Sequence, residues 1–230
     1  IYYAQEKENG TIQAVLRFRS SEINLENNIT VENPRSGYNH SMYAQFETVD
    51  IQNIVTTQEK SIGGNKADYM MQVMATNDGG YIASGLFSSA SIDLGNGVVI
   101  NKGTDDDYQS NGLIIKYNSE EKVEWAKAIG KNTSVVIRDL EETSDGGYLV
   151  AGCFWDSFIL EDKEKLINNG YSDAIIIKYS SKGELEWTKT IGSSENEDIN
   201  SIKETSDGGI IVGGSFMSPS LQLENGIILN

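Results

Sequence analysis

The sequence predicts an all-β fold: a β-propeller built from four-stranded antiparallel blades, about three and a half blades in 230 residues. Three observations predict it. A turn phrase recurs: Thr76-Asn77-Asp78-Gly79-Gly80-Tyr81-Ile82, then Thr143-Ser144-Asp145-Gly146-Gly147-Tyr148-Leu149, then Thr205-Ser206-Asp207-Gly208-Gly209-Ile210-Ile211. Its aspartates lie 67 and then 62 residues apart. The pairs Ile62-Gly63, Ile129-Gly130 and Ile191-Gly192 each place their isoleucine 16 residues before that aspartate. Two further segments keep the same order, Leu113-Ile114-Ile115-Lys116-Tyr117 with Glu124-Trp125-Ala126-Lys127, against Ile175-Ile176-Ile177-Lys178-Tyr179 with Glu186-Trp187-Thr188-Lys189. Repeats of this length, each too small to bury a core alone, stack on one another.

One repeat reads as four strands. Strand a alternates, with Ile199, Ser201, Lys203 and Thr205 on one side and Asn200, Ile202 and Glu204 on the other. The Asp-Gly-Gly phrase turns the chain, because glycine tolerates the positive φ of a tight hairpin. Strand b is short and apolar with small residues, as in Ile210-Ile211-Val212-Gly213-Gly214. An excursion follows. Leu94-Gly95-Asn96-Gly97-Val98-Val99-Ile100 and Leu223-Glu224-Asn225-Gly226-Ile227-Ile228-Leu229 each set Asn-Gly between apolar residues, which predicts a small extra hairpin. Strand c runs over 173–179, a turn lies at Ser181-Lys182-Gly183, and strand d runs over 184–191. Aromatic and β-branched residues suit both. No sustained 3.6-residue apolar period supports a helical solenoid.

The first quarter is a degenerate copy. Glu8-Asn9-Gly10 stands at the turn, 11–18 at strand b, Met42-Tyr43-Ala44-Gln45-Phe46 at strand c, and Gln58 at the tryptophan position, with Lys60 matching Lys127 and Lys189. The expected blades are 1–64, 65–130, 131–192 and a partial fourth at 193–230. The chain opens inside a strand a, at Ile1 rather than methionine, and stops after the fourth extra hairpin, so something upstream is expected to have been removed. Two such chains would total about seven blades, which predicts a homodimer through open propeller edges or a piece of a longer ring. A monomeric mass would refute the dimer.

The formal net charge of −16 repels phosphate backbones and anionic lipid heads, so nucleic acid is not an expected partner. The same charge keeps a chain soluble, or draws cations and basic ligands. No stretch approaches the ~18 apolar residues of a membrane span, and no membrane insertion is expected. Cys153 is the single cysteine, so no intrachain disulfide forms. Its apolar surroundings, 148–154, predict a buried structural thiol.

The sharpest polar cluster is Thr104-Asp105-Asp106-Asp107-Tyr108-Gln109-Ser110-Asn111. Asp105, Asp106 and Asp107 are candidate calcium ligands, since Ca²⁺ takes six to eight oxygens. The spacing departs from an EF-hand loop, and a solvated acidic loop is the competing reading. Glu195-Asn196-Glu197-Asp198 forms a second such cluster on a crossover. His40 is the single histidine, flanked by loop-like residues, so multi-histidine metal sites and histidine pairs are excluded. Gly-x-Ser-x-Gly and Gly-x-x-x-x-Gly-Lys motifs do not occur. Trp125 and Trp187 repeat at one position and are expected between sheets, with sugar stacking as the alternative. Lys116 and Lys178 also repeat, which reads as register or solubility on a sheet. Carboxylate pairs could serve glycoside hydrolysis, but among 34 Asp and Glu residues some pair falls at a workable distance by chance.

The order from Asp173 to Gly213 resembles the bacterial seven-bladed β-propeller repeat family. That pattern has an acidic residue before an apolar c strand ending in lysine, a glycine turn, strand d, a crossover, strand a, and an Asp-Gly turn into a strand ending near glycine. The crossovers Ile-Gly-Ser-Ser-Glu and Ile-Gly-Lys-Asn-Thr are poorer in glycine than the family pattern; Gly63-Gly64 keeps its double glycine. The resemblance implies a location outside the cytoplasm or on the cell surface. It implies a fold that serves as scaffold, binding module or occasional enzyme. The expectation is a non-enzymatic extracellular ligand-binding or scaffold module with a glycan or protein ligand. The alternative is a propeller-type polysaccharide hydrolase or lyase using rim carboxylates. No cofactor is expected apart from calcium.

Overall fold

Each recurring turn joins two strands into an antiparallel hairpin, so the chain folds as successive antiparallel ribbons. The computed structural model describes residues 3–6, 12–18, 22–25, 29–32, 40–46, 56–103, 108–223 and 228–229, with side chains over 60–103 and 108–223. The first sheet holds β1 (Tyr3–Glu6), β2 (Ile12–Phe18), β5 (His40–Phe46) and β6 (Thr56–Ile62) in that order, with β3 (Glu22–Leu25) and β4 (Ile29–Glu32) as a separate hairpin. The second holds β7 (Asp68–Ala75), β8 (Tyr81–Phe87), β11 (Asn111–Tyr117) and β12 (Val123–Ile129), with hairpin β9 (Ser91–Asp93) and β10 (Val99–Asn101). The third holds β13 (Val135–Glu142), β14 (Tyr148–Phe154), β17 (Asp173–Tyr179) and β18 (Leu185–Ile191), with hairpin β15 (Phe158–Leu160) and β16 (Glu164–Leu166). The fourth is a two-stranded sheet of β19 (Glu197–Glu204) and β20 (Ile210–Phe216), followed by hairpin β21 (Leu221–Gln222) and β22 (Ile228–Leu229).

The strand order a-b-c-d and the extra hairpin between b and c therefore occur as the repeat pattern predicts. One detail differs in the first repeat. His40, expected in a loop, opens β5 opposite Phe18.

The chain divides into two compact units, residues 1–102 with 114–126, and 103–113 with 127–230. Within the first, β7 lies against β1, β2 and β5. Within the second, β19 lies in the same way against β13, β14 and β17. Sheet faces are thus buried by the first strand of the next repeat. In the second unit Ile199 and Ile202 of β19 pack on Leu149, Ala151, Ala174 and Ile176, with Trp187 and Ile191 against the same cluster. Burying each isoleucine stabilises the stack by roughly 1.5–3 kcal/mol.

That packing corrects the expected alternation of strand a. Ile199 and Ile202 are both buried although they lie three residues apart. The register between β19 and β20 shifts between Ile199 and Ser201, so Asn200 is an extra residue, a β-bulge. The bulge returns Ile202 to the buried face. It recurs in β7 between Met70 and Gln72, and in β13 between Ile137 and Asp139. The strand opposite then needs glycine. A Cβ on Gly85, Gly152 or Gly214 would lie 2.0, 1.9 or 2.2 Å from a backbone carbonyl oxygen of the bulged strand. Each of these glycines follows its turn aspartate by seven residues, and each bulge precedes it by seven.

Candidate functional site

Two copies of the recurring turn hold a buried lysine among half-exposed carboxylates. Gly79, Gly146 and Gly208 take φ of 83°, 78° and 81°, the left-handed region that glycine enters without strain. The preceding aspartate closes the turn. Asp78 Oδ1 accepts from Thr76 Oγ1 at 2.6 Å and from the Gly80 N–H at 2.9 Å. Asp145 Oδ1 accepts from Thr143 Oγ1 and from the Gly147 N–H in the same way.

Lys116 and Lys178 reach these aspartates from strand c. Lys116 Nζ donates to Asp78 Oδ2 at 2.7 Å, Glu124 Oε2 at 3.0 Å and the Tyr117 carbonyl at 2.9 Å. Lys178 Nζ lies 3.0 Å from both Asp145 oxygens and 3.3 Å from Glu186 Oε2. Both lysines are buried, which excludes solubility and leaves the other expected role, register on the sheet. A buried ammonium needs its partners in place, and here they tie strands c and d to the turn between strands a and b. The second glycine of the turn makes the room. A Cβ on Gly147 would lie 2.1 Å from Lys178 Nζ, and one on Gly80 2.9 Å from Lys116 Nζ. The Thr143 hydroxyl, the Gly147 N–H and Lys178 hold the Asp145 carboxyl down, to about 2. Asp78 is also held low: burial opposes this, and Lys116, Thr76 and Gly80 outweigh it. The matched lysines of strand d lie over tyrosines of the following sheet, Lys60 at 4.1 Å from the Tyr117 ring centroid and Lys127 at 5.5 Å from Tyr179.

A second device ties each crossover to the root of the excursion. Buried Asp68 accepts from the N–H groups of Gly64 at 2.7 Å, Ser88 at 3.0 Å and Ser89 at 3.1 Å, and from Ser89 Oγ at 2.6 Å. Buried Glu197 accepts from the Ser193 N–H at 2.7 Å and from Ser218 Oγ at 2.7 Å. Val135 holds the matching position in the third sheet, where Thr133 Oγ1 instead accepts from the Asp156 N–H at 2.8 Å. Two carboxylates of the Glu195–Asp198 cluster are thus taken up by structural contacts. Glu197 serves the crossover, and Asp198 pairs with Arg138 at 2.9 Å. The shared spacing of Asp68 and Glu197, ten residues before the turn aspartate, was the available signal.

Asp105, Asp106 and Asp107 lie outside the described residues. Among the described residues no group of three His, Cys, Asp or Glu side chains is placed to hold a metal ion. Cys153 is buried, and burial pushes its thiol up to about 12, so it is not poised as a nucleophile. Asp173 is fully buried. Its carboxyl is raised, chiefly by burial and further by the charge of Glu197, against donation from Asn169 N and Nδ2.

One open feature of the second unit is a groove of about 690 Å³. Ile176, Trp187 and Ile191 form one wall, and Ile210 and Val212 the other. Trp187 is half-buried there, against the core and beside open space, while Trp125 is also half-buried. The groove offers an apolar face with few polar groups to orient a small ligand.

No family model matches the chain. A stretch of 113 residues, 48% of this chain, is 26% identical to part of the regulatory protein FlaEY of Caulobacter vibrioides. That stretch amounts to 12% of the length of FlaEY.

Proposed function

We propose that this chain is a non-enzymatic binding or scaffold module of an extracellular or cell-surface protein, its sheets being the blades of a β-propeller. The observation that carries the reading is repetition. The buried charges at Lys116 and Lys178 recur at one position and hold turns to strands. An enzyme instead gathers perturbed, reachable groups in one place. The carboxyl of Asp173 is raised above its ordinary value, and it packs directly beneath Gly192 rather than in an open site. Crossover and excursion roots meet at one end of the sheets, where loops present themselves to a glycan or protein ligand. The charge of −16 disfavours nucleic acid.

The test is a glycan array read beside polysaccharide turnover, both with the purified chain. Binding without turnover is expected. Turnover of any polysaccharide, lost on Asp173→Asn, would overturn the reading in favour of a hydrolase or lyase. Surface location is checked by protease treatment of intact cells, where loss of the chain is expected and full protection would refute it.

A further inference from the structure

We propose that the crossover end of the third sheet binds a neutral glycan, stacked on Trp155 and Tyr171. This rests on the reading of the chain as a binding module, and names the ligand class and its seat. Repetition again separates structural positions from the rest. Trp155 follows Phe154 at the end of β14, and Ser88 and Met217 stand at the matching positions after Phe87 and Phe216. Tyr171 lies two residues before Asp173, as Gln109 lies two before Asn111. Neither aromatic is therefore set by the repeat. Both are exposed, Trp155 by 39% and Tyr171 by 66%. Both belong to a sheet whose four strands are described, with the following crossover, 192–196, and β19 also in place. Large apolar side chains gathered in water at one place mark a binding surface.

The fold fixes both residues at one end. Phe154 and Asp173 pair across β14 and β17, so Trp155 and Tyr171 leave the same end of the sheet. The Trp155 N–H donates to the Ser134 carbonyl at 3.2 Å, and the Asp156 N–H to Thr133 Oγ1 at 2.8 Å, which ties this segment to the crossover before the sheet. The Tyr171 N–H donates to the Glu195 carbonyl at 2.9 Å, on the crossover after it. A backbone held in this way presents a ring with little ordering cost on binding. The surroundings select the ligand. Asp156, Ser157, Asn169 and Ser194 are exposed and Glu195 is half-buried, so polar side chains flank both aromatics along the chain and across the crossover. A sugar offers a face of C–H groups to an aromatic ring and a rim of hydroxyls to carboxylates, amides and hydroxyls. An apolar protein anchor would leave those polar neighbours unpaired. The carboxylates here and the net charge of −16 repel uronic acids and sulfated sugars, which leaves a neutral glycan.

The probes are cellohexaose, mannohexaose, xylohexaose and chitohexaose, each neutral, titrated by calorimetry into the 230-residue chain, with a galacturonate hexamer as the acidic counterpart. At least one neutral probe is expected to bind and to change the tryptophan fluorescence, while the galacturonate hexamer does not bind. Trp155→Ala and Tyr171→Ala are each expected to weaken binding about tenfold at an unchanged urea midpoint. Trp155→Phe is expected to keep most of the affinity and to lose the fluorescence change. Binding that survives both alanine substitutions would overturn the site and leave the binding-module reading standing. Tighter binding of the galacturonate hexamer would overturn the neutral ligand. Binding of none of the neutral probes would overturn the proposal outright, whereas the reading it rests on fails instead on polysaccharide turnover or on full protection from protease.

Discussion

β14 and β20 begin from almost the same sequence and end in opposite environments. Each follows a Ser-Asp-Gly-Gly turn, each faces a bulged first strand, and each keeps glycine at the seventh position after the turn aspartate. All seven residues of β14 are buried; β17 pairs with its far edge, and β19 packs on the face that carries Leu149 and Ala151. Among the described residues β20 has a partner on one edge only. Local sequence thus sets the hairpin, while burial comes from the strands added afterwards. The largest test of this contrast is a pair of matched substitutions. Leu149→Asp places an unpaired charge at a fully buried position and is expected to cost about 4 kcal/mol or more, read as loss of cooperative urea unfolding. Ile211→Asp, at the matching position, 61% exposed, is expected to stay within about 0.5 kcal/mol of the parent. A large loss at Ile211 would mean that β20 is covered in solution.

A smaller effect separates two glycines, one in each of these strands. Gly152→Ala drives a methyl group to 1.9 Å from the Val136 carbonyl oxygen, and backbone cannot yield as a side-chain tip can. A cost of about 3 kcal/mol is expected. Gly213→Ala meets nothing nearer than Ser201 Cβ at 4.0 Å, and it installs the residue type that β14 already has at Ala151. Its stability is expected to match the parent within about 0.5 kcal/mol, with any change a gain from a less flexible unfolded chain. Equal losses at both positions would show that the bulge does not set the glycine requirement.

The strand order, the turns and the extra hairpins were legible because each leaves a local mark: Asp-Gly-Gly, Asn-Gly, or a run of β-branched residues. The bulges were not. Counting by twos from Ile199 puts Ile202 on the wrong face, and no residue type at Met71, Arg138 or Asn200 announces an inserted position. The signal lay elsewhere, in the glycine held seven residues after each turn. For Lys116 and Lys178 the sequence left register and solubility both open, because a lysine in a strand ordinarily reaches water. Only the fold brings Asp145 and Glu186 to the same ammonium across 33 and 8 residues of sequence. Glu197 was grouped with its acidic neighbours for a similar reason. Adjacency in a strand suggests a cluster, yet successive side chains leave on opposite faces, so Glu197 and Asp198 serve different partners.

The finest comparison sets Asp173 against Asn111, which open β17 and β11 at matched positions, six residues before Tyr179 and Tyr117. Both side chains are buried. The second sheet thus holds a neutral amide where the third holds an acid. Burial raises the Asp173 carboxyl, Glu197 raises it further, and the two Asn169 donors offset only part of this. A carboxyl raised in the folded state favours folding below its ordinary value near 3.8, and that contribution is lost as pH rises through the folded value. At neutral pH the folded chain therefore carries the cost of a buried charge. Asp173→Asn is expected to stabilise the chain at pH 7 by about 1 kcal/mol. The gain should shrink as pH falls towards 4, because the parent then protonates and becomes neutral as well. Urea midpoints of parent and variant across that range supply the check. A variant less stable than the parent at pH 7 would mean that the ionised Asp173 is needed where it stands, held by Asn169 more strongly than burial opposes it.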